Sequence, residues 1–166
     1  MEINKTIRST NDYVYFYQKT PLSNWWKSPD IPYDNHTFKS SESLFMYIKA
    51  KTFGDIEIAN QLPSATHAEA KKLGRKVRGF DRRIWEKERE NAMYVALKAK
   101  FSVDKDFRDT LMAEEYRNKT FVEASPHDNI WGINISITQA YEGEKWNGLN
   151  LLGKLLTQLR DEELKK

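Results

Sequence analysis

Within Ser41 to Asp55, S-E-S-L-F-M-Y-I-K-A-K-T-F-G-D, one acid and one amine, Glu42 and Lys49, stand seven positions apart. In a helix that spacing puts both on one face, with Phe45 and Met46 between them. Their backbones are then about 10.5 Å apart along the axis, and because long side chains lean toward the helix N-terminus the lysine reaches back toward the acid. An acid and an amine on one partly apolar wall can share a substrate: the carboxyl group moves protons, and an amine that has lost its proton attacks carbon. The same spacing has a plainer reading, in which Glu42 complements the helix dipole and Lys49 snorkels over a core face.

Other chemistries lose their usual signals. His36, His67 and His127 are far apart, there is no His-x-x-x-His, no acid-rich calcium loop and no cysteine, so neither a metal nor a disulfide is expected. No G-x-S-x-G, no Walker-type phosphate loop and no G-x-G-x-x-G follows a strand-like run, and no cofactor is expected. Carboxylates, lysine and aromatic rings remain. They suit cleavage of a glycosidic bond, where one acid handles protons and a second negative group stabilises a cationic centre. A lysine adds the option of an imine with an opened sugar.

Two further stretches bear on ligands. Lys71 to Arg83, K-K-L-G-R-K-V-R-G-F-D-R-R, holds seven basic residues against the single acid Asp81. Lys71, Arg75, Lys76, Arg78 and Arg82 are candidates for a phosphate end of the site; the alternative is a solvated charged face. The loop before Tyr33 holds three prolines and sets Ser23, Asn24, Trp25 and Trp26 side by side. One indole there could stack on a base, or both could cap the core.

The elements that must position these groups follow from pattern. Tyr13 to Tyr17 reads as a strand, Ile31 to Tyr33 and Thr37 to Lys39 as a hairpin through Asp34-Asn35. Ser40 or Ser41 caps the helix of Glu42, which ends at Phe53-Gly54. Ile56 to Leu62 and Ser64 or Thr66 to Val77 read as short helices, and Phe80 to Phe101 as a long one capped by Asp81, with Trp85, Arg89 or Glu88, Ala92, Val95 with Ala96, and Ala99 in period. A helix from Asp104 to Glu115, a strand at Thr120 to Ala124, a polar loop at Ser125 to Asn134 and a leucine-striped helix at Leu149 to Leu164 complete the chain, and Gly153 beside that stripe predicts close packing. The tail from 161 to 166 reads as frayed.

The 166 residues fit one domain, 1–166, and eight Phe, eight Tyr and five Trp supply a core. A net charge of +3 is weak as an argument for a polyanionic partner. No run long enough to cross a membrane and no leader-like N-terminus appear, so a cytoplasmic protein that needs no membrane is expected, with a monomer favoured.

Taken together and in order, F-Y-Q-K-T-P-L-S-N-W-W, S-S-E-S-L-F-M-Y-I-K-A-K-T-F-G-D, G-F-D-R-R-I-W, A-K-F, V-E-A-S-P-H-D-N-I-W-G-I and W-N-G-L-N-L-L-G resemble the motifs of the NADAR, or YbiA-like, family, from about Tyr15 to Arg160. The resemblance implies an N-glycosidase fold of α+β class, a compact single domain that is mostly helical with a small β-sheet. It implies hydrolysis of the bond between a base and a phosphorylated ribosyl or ADP-ribosyl group. Family substrates are ribosylamino-pyrimidine phosphates of the riboflavin pathway and ADP-ribosylated guanine, so ADP-ribosylated nucleic acid is a further partner class. On the matching motifs Glu42, Lys49 and Asp128 are the catalytic residues, and Ser23, Asn24, Trp85, Trp131 and Gly132 contact substrate beside Trp25 and Arg78. Ile48 stands where the family has glutamine, Leu44 where it has an aromatic, and Asn134 where it has glycine. Those departures keep a second class open, a binding or sequestering module for an ADP-ribose-type nucleotide. A nucleic-acid-binding protein, resting on the basic run alone, is a third.

Overall fold

In chain order the elements of the computed structural model are β1 (Ile7–Ser9), β2 (Tyr13–Phe16), β3 (Ile31–Tyr33), β4 (His36–Phe38), α1 (Ser41–Thr52), α2 (Ile56–Ala59), α3 (His67–Gly74), α4 (Arg82–Val103), α5 (Lys105–Leu111), β5 (Thr120–Glu123), α6 (Ile137–Tyr141) and α7 (Leu151–Leu164), with a 3₁₀ turn at Glu114–Tyr116. The structure describes residues 6–166, so the expectation of a leaderless N-terminus rests partly on residues outside that range. The architecture is α+β and mostly helical with two small sheets, as expected. Among the described residues no helix is long and apolar enough to cross a membrane.

Residues 6–23 and 108–166 form one compact unit. β2 is its central strand, antiparallel to β1 and parallel to β5, with Val14 opposite Phe121. Val14, Phe16, Phe121 and Val122 are fully buried, as β-branched and aromatic residues on a covered pleat should be. α7 lies on β5 and buries Leu152, Leu155, Leu156 and Leu159. That contact explains Gly153, where a Cβ would come 2.1 Å from the carbonyl oxygen of Phe121. Asn150, at φ +53°, uses its amide as a bridge: Oδ1 accepts from the N–H of Glu123 at 3.0 Å and Nδ2 donates to the carbonyl of Phe121 at 3.1 Å. The bridge holds Asn150 outside the helix, so α7 starts at Leu151 rather than Leu149.

Asn24–Phe107 form the second unit. Asp34 and Asn35 both take positive φ, the geometry of a two-residue hairpin turn, and join β3 to β4. α1 packs on α2, α3, α4 and the hairpin. Its cap is Ser40, whose Oγ accepts from the N–H of Ser43 at 3.2 Å in a reciprocal box with Ser43; Thr66 and Asp81 cap α3 and α4.

Several boundaries differ from pattern. The buried stripe of α4 runs through Trp85, Met93, Leu97 and Lys100, while Val95 and Ala99 are only half-buried. α5 ends at Leu111, before Glu114 and Glu115, two acids that a helix C-terminus disfavours. β1 is too short to announce itself, and α6, whose only local signal is the Ser136/Gln139 capping box, was not predicted.

Lys100 is fully buried on α4, its ammonium 4.3 Å from the Phe107 ring centre. Burial pushes its pKa down to about 7, against the pull of Asp104. Asp104 is itself held by the hydroxyl of Ser28 at 2.7 Å and the N–H of Phe107 at 3.1 Å. Between pH of about 7 and 10.5 the unfolded chain keeps a proton on Lys100 that the folded chain gives up. Stability contributed by this residue therefore rises with pH across that window. Lys100→Met should remove that rise and leave the protein at least as stable at pH 7, as read from melting temperatures between pH 6 and 10; an unchanged pH slope contradicts the assignment.

Candidate active site

The N-terminus of α1 is fixed by Asn24. Its carbonyl accepts from the N–H of Glu42 at 3.2 Å, its Oδ1 from the hydroxyl of Ser41 at 2.8 Å, and its Nδ2 donates to Sδ of Met93 on α4 at 3.3 Å. One side chain thus ties the first turn of α1 to α4 and fixes the backbone from which Glu42 projects. Glu42 is 9% exposed, deep for a carboxylate.

Two turns on, the half-buried Lys49 donates from Nζ to the carbonyl of Gly74 at the end of α3, at 2.9 Å. The helices come this close because Gly74 has no side chain: a Cβ there would lie 2.1 Å from Sδ of Met46. The ammonium also stands 4.9 Å from the ring centre of Phe80 and 5.8 Å from that of Trp85. Phe45 packs on Trp85 at 5.3 Å, and Phe53 on Phe80 at 5.4 Å. Loss of water on this aromatic wall lowers the pKa of Lys49, partly offset by the negative charge of Glu42.

The other predicted residues divide. Trp85 belongs to the wall beside Lys49. Asn24 is a structural clamp on α1, and Ser23 is buried just before it. Trp25 is laid on α3, stacked on His67 at 4.9 Å with Lys71 Nζ 5.2 Å from its ring centre, an arrangement that favours the packing reading over a free stacking face. Arg78, expected at a phosphate end, has a structural post instead. Its Nε and NH2 donate to the buried carboxylate of Asp55 at 3.2 and 2.9 Å, its backbone N–H at 2.8 Å, and NH2 also reaches Glu57 at 3.0 Å. Asp55 caps α2 with the same carboxylate, and its pKa is held well below the usual range, chiefly by Arg78. Arg82 pairs with Glu86 at 2.9 Å, while Arg75 and Lys76 are exposed. The basic run is thus a set of local pairs and solvated side chains.

In the other unit Asp128 shapes its own turn: Oδ1 accepts from the N–H groups of Ile130 and Trp131 at 2.9 and 2.8 Å. Trp131 is half-buried. Gly132 is buried so tightly that a Cβ would come 2.8 Å from the carbonyl oxygen of Glu123, and its carbonyl accepts from Asn150. Asn134, standing where the family has glycine, takes φ +62°, a left-handed conformation that asparagine tolerates. Among the described residues no cluster of His, Asp and Glu could hold a metal ion.

Sequence reading missed Gly74, whose carbonyl holds the amine, and Phe80, a half-exposed ring that Gly79, at φ +77°, turns toward Lys49. Both lay inside the basic run, where charge drew attention away from two glycines and a phenylalanine.

A NADAR domain model matches residues 15–164. An N-glycosidase of Acanthamoeba polyphaga mimivirus is 39% identical over 167 residues, 92% of this chain and 97% of that protein. A chloroplastic riboflavin biosynthesis protein PYRR of Zea mays is 38% identical over 100 residues, 58% of this chain but 14% of that protein. The NMR structure of the E. coli protein YbiA aligns with TM-score 0.73 over 98% of this chain and 90% of that one, at 25% identity.

The post assigned to Arg78 is testable by a double-mutant cycle. Asp55→Asn and Arg78→Gln should each lower the melting temperature, and the double variant should fall by clearly less than the sum, because both remove one network. Additive losses contradict the pairing.

Proposed function

We propose that this chain, which belongs to the NADAR family, is an N-glycosidase that releases a base from a phosphorylated ribosyl or ADP-ribosyl group. The observation that carries this reading is the amine of Lys49, partly shielded from water by aromatic rings and set on the same helix face as the buried Glu42.

A neutral amine donates one N–H to the carbonyl of Gly74 and directs its lone pair elsewhere, so the bond that restrains Lys49 also orients it. The sugar ring opens with protonation of its ring oxygen, leaving the anomeric carbon doubly bonded to the nitrogen of the base. Nζ of Lys49 adds to that carbon. The base leaves with its bonding electron pair and takes a proton from Glu42, and the anomeric carbon stays bound to Nζ as an imine. Water then adds to the imine carbon, Glu42 receives and returns the protons, and the C–N bond to Lys49 breaks. The opened sugar and a free amine are released. Net, one water is consumed and one N-glycosidic bond is cleaved. Trp85 and Phe80 keep water from the amine and so favour its neutral form. The role of Asp128 in stabilising positive charge is carried over from the family motif alone.

The substrate classes follow the family: ADP-ribosylated guanine, free or in nucleic acid, and ribosylamino-pyrimidine phosphates. The PYRR relative lends the second class its support. The binding-module alternative has less, because a sequestering site gains nothing from depressing the pKa of a lysine.

Borohydride added during turnover should reduce the imine and leave a sugar adduct on the Lys49 peptide, seen by mass. Lys49→Arg, which keeps charge but cannot form an imine, should lose nearly all turnover, and Glu42→Gln should lose about a hundredfold or more in kcat. No adduct together with substantial activity in Lys49→Arg points instead to direct attack by water with Glu42 as the base.

A further inference from the structure

We propose that Arg89 is the anion-binding residue of this site and takes the phosphoryl oxygens carried on the 5-oxygen of a ribosyl substrate. The identity of that substrate rests on the N-glycosidase reading; the anion site itself does not.

Arg89 lies on α4 one turn after Trp85 and one turn before Met93, a step of about 6 Å each way along the axis. Met93 bonds to Asn24, which holds the N–H of Glu42, and Trp85 packs beside Lys49 and Phe45. The Glu42 end of α1 therefore meets Met93 and the Lys49 end meets Trp85. Arg89 faces the middle of the acid–amine wall, and as a long helical side chain it leans toward the N-terminus of α4, the Trp85 and Lys49 end.

Arg89 is half-buried, yet its Nε is fully buried and finds no hydrogen-bond partner among the described residues. That is a costly state for a guanidinium. The local alternative is closed, because Glu86, one turn back, is engaged by Arg82. Of the basic residues expected to meet phosphate, Arg78 pairs with Asp55 and Glu57, Arg82 with Glu86, Lys71 lies beside the Trp25 ring, and Arg75 and Lys76 are solvated. A planar fork of donors whose Nε is buried, on the helix packed against the acid and the amine, matches a phosphoryl group with two oxygens presented together. Ribose 5-phosphate and ADP-ribose share that chemistry.

The test is calorimetric titration of the full chain with ribose 5-phosphate, ADP-ribose and ribose, for wild type, Arg89→Met, Arg89→Lys and the exposed control Arg82→Gln, with melting temperatures alongside. Affinity for both phosphorylated sugars should fall about ten- to a hundredfold in Arg89→Met, the loss of a charge-assisted hydrogen bond. Arg89→Lys should fall between, because it keeps charge without the fork, and Arg82→Gln should match wild type. Ribose should not distinguish the variants. The ligand-free Arg89→Met should melt no lower than wild type, which a purely packing or pairing arginine would not allow. Loss for ADP-ribose alone assigns the contact to its pyrophosphate; equal loss for both assigns it to the first phosphate. Unchanged affinity for phosphorylated sugars, or an equal loss for ribose, overturns the proposal. If Arg89→Met does not fold, that result counts against the proposal, and Arg89→Lys decides whether any anion contact remains. Binding through Arg89 without base release from any N-riboside leaves this site standing and removes the N-glycosidase reading; base release with unaltered affinity in Arg89→Met does the reverse.

Discussion

The hydrogen bond from Lys49 to the carbonyl of Gly74 is the constraint on which the candidate site depends. It exists only because three helices meet without a side chain in the way: Gly74 leaves room for Met46, Phe45 and Trp85 close the contact between α1 and α4, and Asn24 pins the other end of α1. Each contact is ordinary packing. Their joint effect is chemical, because they take water from one amine while holding a carboxylate on the same helix face. Desolvation of an ammonium costs several kcal/mol if nothing replaces the water, and here a carbonyl, two ring faces and Glu42 replace it in part. The lowered pKa of Lys49 is the residue of that incomplete replacement.

A second buried lysine shows why burial alone does not make a site. Lys100 is more deeply buried than Lys49 and more strongly depressed, but it lies under the Phe107 ring with Asp104 beside it and has no exposed approach. Lys49 differs in keeping one side open next to a half-exposed Phe80. Accessibility, more than the size of the perturbation, separates a reactive lysine from a structural one.

Long periodic segments were legible from the amino acids. The helix of Glu42 and Lys49, the caps at Ser40, Thr66 and Asp81, the Asp34-Asn35 turn and the buried stripe of α7 follow from local rules that tertiary packing did not overrule. The phase of α4 was not, because its alanines can face either way and only the placement of Met93 and Lys100 decides the buried side. Charge was the poorest guide. Arg78 carries no local sign that Asp55, more than twenty positions earlier, will hold it, and the period of the long helix left Arg89 and Glu88 as alternatives without saying which is buried. Contacts between residues distant in sequence set which cations are occupied, and a one-dimensional pattern does not carry them.

The central claim is that Glu42 and the aromatic wall together set the protonation of Lys49. Titration of the Lys49 Nζ, followed by NMR of selectively labelled lysine side chains with Lys49→Arg for assignment, tests it most directly. A midpoint below the ordinary lysine value of 10.5, moving lower still in Glu42→Gln because the carboxylate no longer supports the charge, is the predicted result. A midpoint at the ordinary value that ignores Glu42→Gln contradicts the account.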